Sequence, residues 1–207
     1  MLPPPVYALD IWPEAVPLLV SAGLGVIGYI VGSFPGSLFV GRLVGIDPAS
    51  EGERNPGSAN VWKLAGPGPG IAALLLDLGR AVLPALIGLA VAGWWGAWAA
   101  GIGAVAGSMR PAWPALRGGR GVAAGIGVAL VLNPPAFAVA LGVGALAYLV
   151  GRRRAPAITT GIAVYPVTFA LLSVRSPEEL LALGGVGALY LALVAGFWVT
   201  RRRQAPG

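Results

Sequence analysis

Apolar runs of helical length, divided by short polar or Gly/Pro-rich breaks, fill most of the chain. The runs fall at about 16–33, 70–92, 94–107, 122–132, 136–150, 157–174 and 179–200. A helical crossing takes about 20 apolar residues, so these runs predict about seven transmembrane helices. The third and fourth are short, which leaves a partly re-entrant path open for them. Residues 1–15 are Pro-rich and carry Asp10, Trp12 and Glu14, the pattern of an external tail with an interfacial aromatic. Pro84 predicts a break or kink in the second run. Trp94, Trp95 and Trp98 mark an interface, and Asn133-Pro134-Pro135 marks a turn. The expected fold is an all-α polytopic membrane protein, a single domain over 1–207 with short motif-bearing loops.

Composition supports this reading. The chain is 57% hydrophobic and 11% charged, with a mean hydropathy of +0.79. Soluble domains carry about 25% charged residues. It has no cysteine and no histidine, which removes disulfides, thiolate chemistry, and the commonest general base and metal ligand. A net charge of +6 raises nucleic acid as a partner, but the cations are spread between the apolar runs, and we discount it. Odd connections carry Arg42, Arg54 and Lys63, then Arg110, Arg117 and Arg120, then Arg152 to Arg154. The C-terminal tail holds Arg201 to Arg203, whereas even connections hold only Arg175. Positive charge collects on the cytoplasmic side. The expected topology therefore has the N-terminus outside, and the C-terminus and motif loops in the cytoplasm. No Lys or Arg precedes Arg42, so a signal-peptide n-region is missing.

Three polar segments carry the candidate chemistry. The stretch Gly107–Val122 reads GSMRPAWPALRGGRGV and runs into an apolar helix. Glycines at 118, 119 and 121 allow successive N–H groups to line one concavity, and a helix N-terminus adds its own. Arg117 and Arg120 bring planar donors suited to phosphate oxygens. A basic loop touching anionic head groups fits the same residues. The first connection contains Gly52-Glu53-Arg54-Asn55-Pro56-Gly57-Ser58-Ala59-Asn60-Val61. Its amides and hydroxyls suit a polyol or phosphate, and they equally suit an ordinary solvated turn. Asp77 and Arg80 share a helix face inside an apolar run. They are either functional intramembrane charges or a self-satisfied pair with Arg80 snorkelling.

As a set, these residues resemble the bacterial acyl-phosphate:glycerol-3-phosphate acyltransferases, the PlsY family. Gly32-Ser33-Phe34-Pro35 is similar to a family GS-x-P, and Gly45-Ile46-Asp47 to a GID-like step. Asn55, Gly57 and Asn60-Val61 resemble N-x-G-x-x-NV. Leu76-Asp77, Arg80 and Pro84 resemble LD-x-x-KG-x-x-P, with Arg for Lys and Ala81 for Gly. Gly107, Pro111 and Arg117 to Ala123 resemble G-H-x-x-P…KGGKGVA, again with Arg for Lys. The departures are specific. Ser108 stands at the family histidine, Glu53 at a serine, Arg54 at a glycine, and Ser58-Ala59 at A-T. The serine-rich third motif corresponds poorly to Ala155–Thr160, and a glutamate-bearing C-terminal tail is missing.

The resemblance implies a seven-span inner-membrane enzyme that needs no metal or other cofactor. It would move an acyl group from acyl phosphate to the 1-hydroxyl of glycerol 3-phosphate, giving lysophosphatidic acid and phosphate. Arg117, Gly118, Gly119, Arg120 and Gly121 would hold the acyl phosphate. Asn55, Gly57, Ser58 and Arg80 would bind substrate, Asn60, Asp77 and Ser108 would serve catalysis, and the acyl chain would lie in membrane lipid. Without histidine, Asp77, Glu53 or an oxygen of the acyl phosphate must take the hydroxyl proton. Glu53 would reshape the acceptor pocket and repel a phosphate unless paired, Arg54 being the adjacent cation. The alternative is a catalytically degenerate member that binds lipid phosphate or partners a membrane enzyme. A small transporter ranks last, because no internal repeat is evident.

Overall fold

The computed structural model describes residues 15–113, 117–152 and 154–173. The expected tail, the last apolar run at 179–200 and the arginines at 201–203 lie outside the described residues. Every regular element described is helical: α1 (Ala15–Gly32), α2 (Gly36–Leu43), α3 (Ser58–Ala65), α4 (Pro67–Met109), α5 (Val122–Leu132), α6 (Pro134–Gly151) and α7 (Arg154–Ser173). The all-α expectation therefore holds. Among the described residues, Leu18–Leu43, Pro67–Met109 and Pro134–Gly151 are long and apolar enough to cross a membrane, and Val122–Leu132 and Thr160–Leu172 are shorter apolar helices.

The runs at 70–92 and 94–107 are the two arms of α4, and the bend falls between them as the run bounds predict, while the break expected near Pro84 is not seen. The backbone stays helical through Pro84 and leaves helical geometry at Ala92 (φ −136°, ψ 26°) and Gly93 (φ 58°, ψ −144°). Gly93 takes a positive φ that costs other residues steric strain, so the chain reverses there rather than at the proline. In a straight helix Gly88 and Gly96 would lie about 12 Å apart. Here a Cβ on Gly88 would sit 2.9 Å from the Ala97 nitrogen, so the arms fold back on each other.

Two compact units are formed, Met1–Val128 and Ala129–Gly207. In the first, α1 lies beside the second arm of α4 and runs parallel to it. A Cβ on Gly28 would come within 2.9 Å of the Ala100 Cα, and one on Gly107 within 2.8 Å of the Ser33 nitrogen. Lipid offers no hydrophobic drive between apolar helices, so close backbone approach at small residues is what holds such a pair. Gly and Ala in the spans are packing surfaces, as expected. In the second unit the predicted turn is an N-cap, where Asn133 Oδ1 accepts from the Ala136 N–H at 2.9 Å ahead of α6. There α7 docks on α6 through Thr168 Oγ1, which donates to the Ala136 carbonyl at 3.3 Å.

The connection at 34–69 is more ordered than its Gly/Pro content suggests, because α2 and α3 occupy it. Both start beside the first arm of α4: Ser37 is buried against Asp77, and Gly70 would meet the Trp62 Cα at 2.8 Å if it had a Cβ. The end of α1, the starts of α2, α3 and α5, and the end of α4 thus meet at one end of the first unit.

Candidate active site

Asp77 is the buried centre of that end, 2% exposed. The Ser37 hydroxyl donates to its Oδ2, and Arg80 Nη2 lies 3.1 Å from Oδ1. The backbone N–H groups of Ser37 and Ser58 also face the carboxylate. These belong to the first turns of α2 and α3, where unpaired N–H groups and the positive dipole end favour an anion. Arg80 continues the knot by donating from Nη1 to the Gly32 carbonyl at 3.2 Å and to the Phe34 carbonyl. It thereby caps the carbonyl end of α1. Asp77 and Arg80 are paired to each other and to three helix ends.

Asn60 is 0% exposed and its amide is fully used. Nδ2 donates to the carbonyls of Pro48 at 2.9 Å and Glu51 at 3.0 Å, while Oδ1 accepts from the Glu53 N–H at 2.9 Å. One buried side chain therefore shapes the loop from 48 to 53. Asp47 opens that loop: its carboxylate accepts from the Ser50 hydroxyl at 2.8 Å and the Ala49 N–H at 3.2 Å. The Ser50 bond and then the Ala49 bond hold the Asp47 pKa below the usual aspartate value. Arg54 takes φ 50°, in the left-handed region where glycine is easiest.

The Gly-rich loop rests on two supports. The Gly119 N–H donates to the Ser108 carbonyl at 2.9 Å. Gly118 packs so tightly on Met109 and Pro111 that a Cβ would reach within 3.0 Å of Pro111 Cδ and closer still to the Met109 carbonyl. Gly119 is open by comparison, with the Pro56 carbonyl 3.6 Å and Asn55 Oδ1 4.0 Å from its missing Cβ. Gly121 has φ 73° and leads into α5. Ser108 is 1% exposed, and its hydroxyl donates to the Val105 carbonyl at 2.7 Å.

The two loops touch. Arg117 Nη1 donates to the Ala49 carbonyl at 3.4 Å, and Arg120 Nη1 lies 3.5 Å from Glu53 Oε2. Glu53 also pairs with Lys63. Among the described residues, the cations paired with it are Lys63 and Arg120, from another helix and another loop, rather than the adjacent Arg54. Asn55, 8% exposed, approaches Gly119 across the two loops, and Asn60, Asp77 and Ser108 are buried more deeply, at 0–2% exposed. Ser37 was not among the candidate residues. Its only trace in the sequence is a small polar residue at a position that becomes buried. The Ala155–Thr160 segment lies in α7, in the second unit. Among the described residues, no three His, Cys, Asp or Glu side chains group closely enough to hold a metal ion.

A unit of apolar helices with one end lined by glycine loops, arginines and buried polar anchors defines a class, the integral membrane proteins with a polar site at the ends of their helices. The chain matches the family described as glycerol-3-phosphate acyltransferase over residues 22–205. A Symbiobacterium thermophilum protein of that name is 35% identical over 185 residues, covering 89% of this chain and 90% of that one. A Rubrobacter xylanophilus protein of the same name is 36% identical over 172 residues, covering 81% and 85%. Among solved structures, the glycerol 3-phosphate form of PlsY, an integral membrane glycerol 3-phosphate acyltransferase, has the same fold. Its TM-score is 0.78 at 23% identity, over 88% of this chain and 90% of that one. This chain belongs to the glycerol-3-phosphate acyltransferase family.

Proposed function

We propose that this protein transfers a fatty acyl group from an acyl phosphate to the 1-hydroxyl of glycerol 3-phosphate, yielding lysophosphatidic acid and inorganic phosphate. Family membership supports the acceptor and the reaction type. The observation that carries the site assignment is the meeting of the 47–58 and 117–121 loops, with Gly119 facing Asn55 and Pro56. The rival reading, a degenerate binding protein, finds no support among relatives that are named acyltransferases.

The hydroxyl oxygen attacks the acyl carbonyl carbon, the bond from that carbon to the phosphate oxygen breaks, and phosphate leaves with the electron pair. Arg117, Arg120 and the N–H groups of Gly118, Arg120 and Gly121 neutralise the leaving phosphate. Gly119 keeps its N–H on Ser108 and fixes the loop. Asn55, Gly57 and Ser58 take the acceptor. Asp77 is buried, with Oδ2 on the Ser37 hydroxyl and Oδ1 beside Arg80, and Glu53 is paired with Lys63 and Arg120, so the hydroxyl proton is assigned to a phosphate oxygen of the donor. Asp77, Asn60, Arg80 and Ser108 act by positioning the loops. Such an activated donor needs mainly alignment, and alignment alone supplies large rate factors. Lipid between the helices receives the acyl chain. The arginine distribution favours a bacterial plasma membrane protein with about seven crossings, its N-terminus outside and its motif loops and C-terminus cytoplasmic.

The test is turnover by the purified protein in lipid, given palmitoyl phosphate and labelled glycerol 3-phosphate. Wild type forms lysophosphatidic acid, and Arg117→Ala and Arg120→Ala each lose about 10²-fold or more in rate. A wild type that forms no product refutes the reading.

A further inference from the structure

Glu53 stands where the resembling family has a serine, and its surroundings give it a definite task. Its backbone is fixed, because the N–H donates to the buried Asn60 Oδ1 at 2.9 Å and the Arg54 N–H closes the turn on the Glu51 carbonyl at 2.9 Å. Across the gap, the backbone before Arg120 is fixed as well, by the Gly119 N–H on the Ser108 carbonyl at 2.9 Å. Between them stands a loose ion pair: 3.5 Å from Arg120 Nη1 to Glu53 Oε2, with the side chains 22% and 31% exposed. A tight charge-assisted bond would be about 2.7–2.9 Å, and a pair open to water is weak and exchangeable.

The other carboxylate oxygen, Oε1, pairs with Lys63. Two cations therefore share one carboxylate. If Arg120 leaves, Lys63 still neutralises Glu53 and no carboxylate is stranded. If a phosphate enters, Arg120 is the cation released to it. From this arrangement we infer that the Glu53 carboxylate is a resident counter-ion for Arg120, holding the guanidinium until a substrate phosphate displaces it. The inference rests on the proposal that the 117–121 loop binds phosphate. Its consequence is a site that binds phosphate less tightly than one with an uncharged residue at 53 and releases the inorganic phosphate product more readily. A serine there has no charge with which to compete.

The experiment titrates inorganic phosphate onto the full-length protein in lipid nanodiscs, by calorimetry and by thermal shift. Glu53→Gln should bind phosphate about two- to fivefold more tightly than wild type, the range that follows from removing a weak, partly exposed competitor. Glu53→Ser should shift affinity the same way, so a packing effect peculiar to glutamine does not decide the result. In an Arg120→Ala background, Glu53→Gln should leave phosphate affinity unchanged, because the two residues act through one contact. Unchanged or weaker binding in both Glu53 variants overturns the inference. So does a tightening that persists without Arg120, which would mark general repulsion instead of competition. Phosphate binding is read without turnover. A wild type that binds phosphate but makes no lysophosphatidic acid therefore refutes the acyltransferase reading alone.

Discussion

Gly118→Ala is the sharpest test of how the Gly-rich loop is held. The added methyl would lie 3.0 Å from Pro111 Cδ and inside the envelope of the Met109 carbonyl oxygen, which is backbone and cannot rotate away. Relief requires the loop to retreat by roughly 1 Å, and a displacement of that size at a reacting centre costs about 10²-fold in rate. Gly119→Ala is the control one residue on, since its Cβ would make only ordinary contacts at 3.6–4.0 Å. The assay is steady-state formation of lysophosphatidic acid by each variant in lipid, with thermal unfolding followed in parallel. The expected result is about 10²-fold loss of kcat/KM for Gly118→Ala, and less than about tenfold for Gly119→Ala. Both melting points should stay near wild type, because the helix packing is untouched. Equal losses in the two variants, or a greater loss in Gly119→Ala, would refute the claim that position 118 is limited by backbone contact.

Three further outcomes follow from the same geometry. Asn60→Ala should leave the Glu53 N–H and the Pro48 and Glu51 carbonyls without their buried partner, at about 1–3 kcal/mol for a group left unpaired. Hydrogen exchange should quicken at the amides of residues 49–53, and unchanged exchange there would contradict the positioning role. Gly28→Leu should lower the melting temperature strongly, since its Cβ would lie 2.9 Å from the Ala100 Cα and overpacking costs about 1–3 kcal/mol. A melting temperature equal to wild type would argue against the close α1–α4 approach. Folding lowers the Asp47 pKa, so its contribution to the loop is complete above the ordinary aspartate value and is lost as pH falls through the lowered one. Protection factors at Ala49 and Ser50, with the intrinsic pH dependence of exchange divided out, should therefore be flat from about pH 5 to 8 and fall only below about pH 4, a fall that Asp47→Asn should remove. Loosening near pH 6 would point to another group.

The apolar runs and the alternation of arginines were enough to predict helices, a membrane setting and the clustering of three polar segments. Each is a one-dimensional property: length sets whether a helix can span, and charge near its ends sets which way it lies. The residue types of the site were legible for the same reason, because a glycine run beside arginines limits the chemistry available. What those residues touch was decided only by the tertiary fold. The resemblance gives Asn60 to catalysis, but folding of α3 against the 48–53 loop engages every hydrogen-bonding atom of its amide. Asp77 and Arg80 pair locally, as helical spacing predicts, while Ser37, 40 residues away, completes the knot. The reversal falls at Gly93, on the boundary between the two predicted runs, and Pro84 leaves the backbone helical, because a proline is tolerated where neighbouring helices support the backbone, whereas reversal needs a positive φ. Glu53 finds Lys63 and Arg120 rather than Arg54 for a related reason. Adjacent residues in a tight turn point apart, and the partners of a charge are set by which loops the bundle brings to the same end.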